Sequence, residues 1–302
     1  MLDTEKACTR INQQADGGEV AMNHFIEKEW LMEHLEDKNI RIADCRYNLG
    51  SSEEGYEAYV KNHIPGAVYF HLSKDLSGPV AAHGGRHPLP AIENLKETFA
   101  LAGISEETTV IAYDGGEGSY AARLWWLLNY LGHEKVYILN GGYKAWKESD
   151  YPTNDTIPSF PKAEFNVRLN EGIFASQDEV RTIVEAQDKE VVIIDSRENK
   201  RYLGIEEPID KKCGHIPGAI NKVWTEGFES GRIKSSEEQE NRFKEIDKDK
   251  QLIVYCGSGV TATPNFIALK MAGFNKVKLY AGSFSDWISY EENEVETGEV
   301  RK

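Results

Sequence analysis

Cysteine is scarce in this chain: four in 302 residues, at positions 8, 45, 213 and 256, with no Cys-x-x-Cys pair. Neither a zinc cluster nor a disulfide framework is expected from that usage, and free thiols fit a cytoplasmic protein. Long apolar runs are missing as well, since none approaches the ~20 residues of a membrane span. Positive charge is in short supply: 35 Lys and Arg stand against 50 Asp and Glu, a net charge of −15. With no basic stripe, broad nucleic-acid affinity is excluded, and any anionic substrate must find a local focus of donors. The stretch GEGSYAAR (116–123) lacks the Gly-Lys-Ser/Thr ending of a phosphate loop. No metal, nucleotide or flavin site is visible, so no cofactor is expected. Residues 1–24 are polar and acidic without an apolar core, which reads as a flexible lead rather than a secretory signal.

What the chain does contain is one pattern written twice. IRIAD (40–44) returns as VVIID (191–195), and HIPGA (63–67) as HIPGA (215–219). TTVIAYD (108–114) returns as QLIVYC (251–256), and GHEKVYILNGGYKAW (132–146) as GFNKVKLYAGSFSDW (273–287). A duplication this long means two copies of one domain, and the length supports two cores. The expected division is a first domain over 25–150, a Pro-bearing linker over 151–161 and a second domain over 162–302. Runs such as VVIID, LIVYC and VKLYA are apolar without alternation, which suits strands covered on both faces. Strand, tight loop, helix, Gly, strand is the order of a parallel α/β sheet, with helices on its faces. His63 and His215 recur in both copies and therefore read as structural, bonding backbone near the Pro-Gly turn. Trp146 and Trp287 recur likewise and read as packing.

The copies differ where chemistry would occur: Asp114 ends the central strand of the first, Cys256 that of the second. After Cys256 come Gly257, Ser258, Gly259, Val260 and Thr261, then a helix with Pro264 at its start. Two glycines let the backbone curl back, so successive N–H groups can point at the sulfur beside a helix N-terminus. Such a nest favours a thiolate, and it would hold the anionic outer sulfur of a persulfide. The same amides could hold the Asp114 carboxylate, which cannot carry sulfur.

CGSGVT, with GHIPGAI, YAGSFSDW, DSRENKRYLG and DLSGPVAAHGGRHPLP (75–90), resembles the tandem-domain rhodanese-like sulfurtransferases, closest to their 3-mercaptopyruvate branch. The likeness spans roughly residues 25–290. It implies two rhodanese-like domains, with Cys256 as the sulfur carrier and Arg201 as the arginine that binds the donor's anionic group. Arg197 either touches the substrate or shapes the domain through an ion pair. The resemblance further implies that Asp75 and His87 join Ser258 in a proton-handling triad, with the first domain leaning over the second. Arg86 beside them adds positive field to the cleft or offsets the acidic surface. Loop members Gly257, Gly259, Val260 and Thr261 would line the substrate. Where mammalian relatives carry a second substrate arginine, this chain reads EEPIDKK (206–212), leaving Lys211 or Lys212 as a substitute. Thiosulfate-preferring members usually carry Arg and Lys at the second and third loop positions, which here are Gly257 and Ser258. Related phosphatases have a longer loop ending on an Arg, absent here.

The implied reaction moves sulfur from 3-mercaptopyruvate to thioredoxin, a small thiol or cyanide, without a cofactor, membrane or nucleic acid. Thiosulfate as main donor is the near alternative. A non-catalytic rhodanese-fold binding module is the alternative of another class, and the thiol together with Arg201 speaks against it.

Overall fold

The computed structural model describes residues 24–299, and the expected lead therefore lies outside them except for His24. Two five-stranded sheets form, every neighbouring pair parallel, in the orders β1-β5-β4-β2-β3 and β6-β12-β11-β7-β8. The first contains β1 (Phe25–Ile26), β2 (Ile40–Asp44), β3 (Ala67–Tyr69), β4 (Thr109–Tyr113) and β5 (Val136–Leu139). The second contains β6 (Phe174–Ala175), β7 (Val191–Asp195), β8 (Ile220–Asn221), β11 (Gln251–Tyr255) and β12 (Val277–Tyr280). A short hairpin, β9 (Phe228–Glu229) and β10 (Arg232–Ile233), is the antiparallel exception. The two orders superimpose strand for strand, so the sequence repeat is a repeat of folds.

Helices cover both faces of each sheet, which is why β4 and β11 are buried along almost their whole length. Ser119–Tyr130 and Thr263–Met271, each following the loop at the end of its domain's central strand, pack against each other. Trp125 meets Phe266 there, ring centroids 6.3 Å apart. Because each helix is pressed between its own sheet and the other domain, both are apolar nearly all round rather than striped. One continuous core results, running through both copies.

The paired motifs take paired structural roles. Arg46 forks onto Asp44, and Arg197 onto Asp195. The rings of His63 and His215 stack on Tyr59 and Tyr202 and bond those residues' carbonyls through Nδ1 at 2.7 and 2.8 Å. These carbonyls precede the Pro-Gly turn, and His63 Nε2 also lies 3.1 Å from the Thr156 carbonyl in the later segment. Trp146 and Trp287 bond Pro152 and Glu294 carbonyls.

The segment between the sheets differs from its expected boundary. Past Pro161 the chain stays on the first unit: Ala163 N bonds Ala100 O, Arg168 N bonds Leu131 O and Asn170 N bonds Tyr130 O. Phe165 is buried beside Phe99, and one aromatic anchor in a polar stretch gave no periodic signal. The second sheet begins only at Phe174.

Candidate active site

Cys256 is the first residue after β11, at the carboxyl end of the sheet where parallel α/β folds gather ligands. Its thiol is 1 % exposed, and Gly259 N donates to Sγ at 3.2 Å. Gly259 sits at φ +75°, where a Cβ would also collide with the Ala281 carbonyl. The loop's curl therefore requires glycine on two independent grounds. At Gly257 a Cβ would lie 2.6 Å from Arg86 Nη2 and 3.5 Å from Arg201 Nη2. The missing side chain is thus what lets two guanidiniums sit against the loop. Val260 turns into the core, and its carbonyl accepts from Thr263. Thr261 lines a different cleft, with Tyr47, Glu117 and Trp224.

The first domain supplies the roof. Its segment after β3 crosses onto the second domain: His83 stacks on Tyr290, Gly84 N donates to Asp286 Oδ1 at 2.6 Å, and Arg86 N donates to Ser285 Oγ at 3.1 Å. This crossing brings His87 Nδ1 to 2.8 Å from Ser258 Oγ, both groups being buried. Burial, then the charges of Arg123 and Arg86, push the His87 imidazole down to about 4 from its ordinary 6.5. The ring is neutral at physiological pH.

Arg123 locks this roof to the floor. It is fully buried, and it donates to Gly259 O at 3.1 Å, His87 O at 3.3 Å and Leu76 O at 3.4 Å. Burial drags its guanidinium down to about 10, with the Cys256 sulfur opposing. Sequence reasoning passed over it, although a lone arginine inside SYAARLWWLLNY was a usable signal.

Asp75 does not complete a triad with His87. Its Oδ2 accepts the His71 amide at 2.7 Å and closes the turn His71–Leu76, and burial raises its carboxyl. Among the described residues no hydrogen bond joins Asp75 to His87. Placement also separates the two arginines. Arg197 is 2 % exposed and spends its donors on Asp195, Glu207 and the Gly214 carbonyl, with its guanidinium over Phe284. It shapes the domain and reaches the site only through Glu207. Arg201 faces the loop, its Nε and Nη2 on Glu207 at 3.0 and 2.8 Å and its Nη2 on Asp210 Oδ2 at 2.9 Å. The cation that joins it above Gly257 is Arg86 of the first domain, which pairs with Asp210 Oδ1, while Lys211 is exposed.

In the silent copy, Asp114 occupies the thiol's position. Gly116 and Gly118 amides donate to Oδ1 at 3.0 and 2.9 Å, those of Tyr120 and Ala121 to Oδ2 at 3.1 and 3.2 Å. The hairpin β9–β10 covers this loop as the His83–His87 segment covers that of Cys256: Phe228 packs on Gly118, and Ile233 N bonds Asn140 Oδ1.

A rhodanese-like domain matches residues 27–149 and again 176–290. The chain belongs to the rhodanese family. As a tandem rhodanese-fold sulfurtransferase it is 36% identical over 288 residues to a probable 3-mercaptopyruvate sulfurtransferase of Pseudomonas aeruginosa, covering 91% of this chain and 98% of that one. It is 30% identical to a putative thiosulfate sulfurtransferase of Haloferax volcanii, covering 92% and 98%. The crystal structure of SseA from Escherichia coli, a 3-mercaptopyruvate sulfotransferase, superimposes with a TM-score of 0.75 at 33% identity, over 87% of this chain and 99% of that one. Among the described residues of this rhodanese, no helix is long and apolar enough to cross a membrane.

Proposed function

We propose that the protein takes sulfur from 3-mercaptopyruvate, carries it as a Cys256 persulfide and passes it to a thiol. The contact between Ser258 and His87 carries this reading: an uncharged hydrogen-bonding pair stands at the loop position where a dianionic donor would favour a cation. The Cys256 thiolate attacks the donor sulfur. A sulfur–sulfur bond forms, the carbon–sulfur bond breaks, and its electron pair leaves on carbon as the enolate of pyruvate, which then takes a proton. Arg201 and Arg86 hold the donor carboxylate by charge-assisted hydrogen bonds. With Nδ1 carrying the ring hydrogen, His87 donates to Ser258 Oγ and frees the hydroxyl to donate to the ketone oxygen as it becomes enolate. An imidazole with a pKa near 4 is a poor base, which favours this donor role over proton storage. Loop amides hold the persulfide until an acceptor thiol attacks the outer sulfur and leaves Cys256 as thiolate. Thioredoxin, a small thiol, or cyanide in vitro fits as acceptor, and no cofactor takes part.

The test is kcat/KM for 3-mercaptopyruvate and for thiosulfate side by side, with Cys256→Ser as control. Intact-mass spectrometry should show one added sulfur atom on the wild type after donor and none on the variant. A preference for thiosulfate overturns the donor assignment, and sulfur transfer by Cys256→Ser overturns the carrier.

A further inference from the structure

The segment after Gly204 delivers carboxylates to the loop. Glu207 and Asp210 fold back from an otherwise exposed stretch that includes Ile205, Glu206 and Ile209. Their side chains are 0% and 2% exposed. Each of the two Asp210 oxygens takes a different arginine, Oδ1 from Arg86 and Oδ2 from Arg201. These are the guanidiniums that flank Gly257, and Oδ2 itself would lie 3.6 Å from a Cβ there.

A charge balance follows. Arg86, Arg197 and Arg201 face Asp195, Glu207 and Asp210 in one connected set of ion pairs. Three cations meet three anions, so this set of ion pairs is neutral in itself, with Arg123 and the Cys256 sulfur standing outside it. Glu207 is anchored from both sides, by Arg197 as well as Arg201 and by the amides of Ile209 and Asp210. Among the described residues Asp210 has no such second anchor: its carboxylate bonds only the two arginines that face the loop. Its oxygens span Arg86 and Arg201 as the carboxylate of a small 2-oxo acid would.

We propose that Asp210 is a tethered counter-anion. It occupies the donor's anion site in the resting enzyme, and a donor must displace it from Arg86 and Arg201 to reach Cys256. This rests on those two arginines being the donor's anchor, and it adds what that reading lacks, namely selection by charge. A monoanion that takes the place of the Asp210 carboxylate leaves the network neutral. A dianion adds surplus negative charge to a protein that is already strongly acidic.

The probe needs no sulfur donor. Iodoacetate and iodoacetamide alkylate a thiolate by the same displacement of iodide and differ in charge, so the ratio of their rates at Cys256 reads the free positive field. Peptide-resolved mass spectrometry separates Cys256 from the exposed Cys213. Asp210→Asn keeps the shape and uncovers one unit of positive charge. The iodoacetate-to-iodoacetamide ratio should rise about tenfold at low salt and fall back as salt is added. Asp210→Glu, which restores the charge, should return the ratio toward wild type. An unchanged ratio in Asp210→Asn overturns the proposal. Equal acceleration of both reagents also overturns it, because that reports an opened segment rather than an uncovered charge, as does a high ratio in Asp210→Glu. Since no donor is present, the outcome is independent of whether 3-mercaptopyruvate or thiosulfate is preferred.

Discussion

Replacing Ser258 with Ala separates the two halves of the proposed chemistry more cleanly than any other single change. The hydroxyl is 8% exposed and 2.8 Å from His87 Nδ1. Its removal deletes the donor that the proposed mechanism aims at the enolate oxygen, and it leaves a buried ring nitrogen without its partner. The two losses appear in different measurements. An unpaired buried polar group costs about 1–3 kcal/mol of stability, read as a lower denaturation midpoint. A preorganised donor at a developing oxyanion is worth about 10²–10³ in rate, because in a water-excluded site its charge interaction is weakly screened.

Sulfite leaves thiosulfate as a stable anion and draws little on that donor, so only the mercaptopyruvate step should fall by this factor. Single-turnover persulfide formation, followed by intact mass with each donor in turn, isolates the first half-reaction from acceptor chemistry. Running it well below the denaturation midpoint removes the stability term. An equal loss with both donors would refute the reasoning and point to a displaced loop. No loss with mercaptopyruvate would return Ser258 and His87 to a purely structural contact between domains.

Two further changes test the scaffold. Gly259→Ala should cost at least ~2 kcal/mol, because φ is +75° and the added methyl meets the Ala281 carbonyl; urea denaturation checks it, and a wild-type midpoint would mean that the loop is not held as described. Acid should loosen the domain contact through His87, whose pKa is near 4 folded and 6.5 ordinarily. The unfolded chain then binds the extra proton, so stability is full above about 6.5 and is lost as pH falls toward 4. His87→Asn lacks this titration, and the wild type should lose stability relative to it over that window.

The repeat made the fold legible, because strand runs flanking HIPGA and ending on Asp or Cys carry their own register. The curl of the Cys256 loop was legible too: a thiol followed by two glycines and a Pro-started helix is local chemistry. Contacts across the domain interface were harder to read. His87 reaches Ser258 as the resemblance implied, but Asp75, twelve positions earlier in sequence, closes its own turn instead. Nothing in local spacing distinguishes a carboxylate that serves a neighbouring imidazole from one that caps four residues back. Asp210 was invisible for the opposite reason. In EEPIDKK every charge looks solvated, and it takes Arg201 of the same domain together with the long reach of Arg86 from the other to draw this one inward.

The first copy shows what a strand-end loop of this fold can hold. Asp114 stands where Cys256 stands, and four backbone amides converge on its carboxylate. A carboxylate oxygen lies as many bonds from Cα as the outer sulfur of a persulfide does, through Cβ and one further atom. The free thiol is one atom shorter and takes a single amide, that of Gly259. The strand-end loop of the first copy is therefore an anion cradle filled by its own side chain, and on the proposed reading the Cys256 loop is its counterpart, loaded during turnover. Each cradle is roofed by the segment after the equivalent strand of the opposite domain, the hairpin over Asp114 and the His83–His87 crossing over Cys256. Duplication thus gives the Cys256 loop a roof drawn from the other domain. A carboxylate in place of a thiol in the first copy is compatible with that role, since what this domain brings to Cys256 is His87, Arg86 and Arg123 rather than its own cradle.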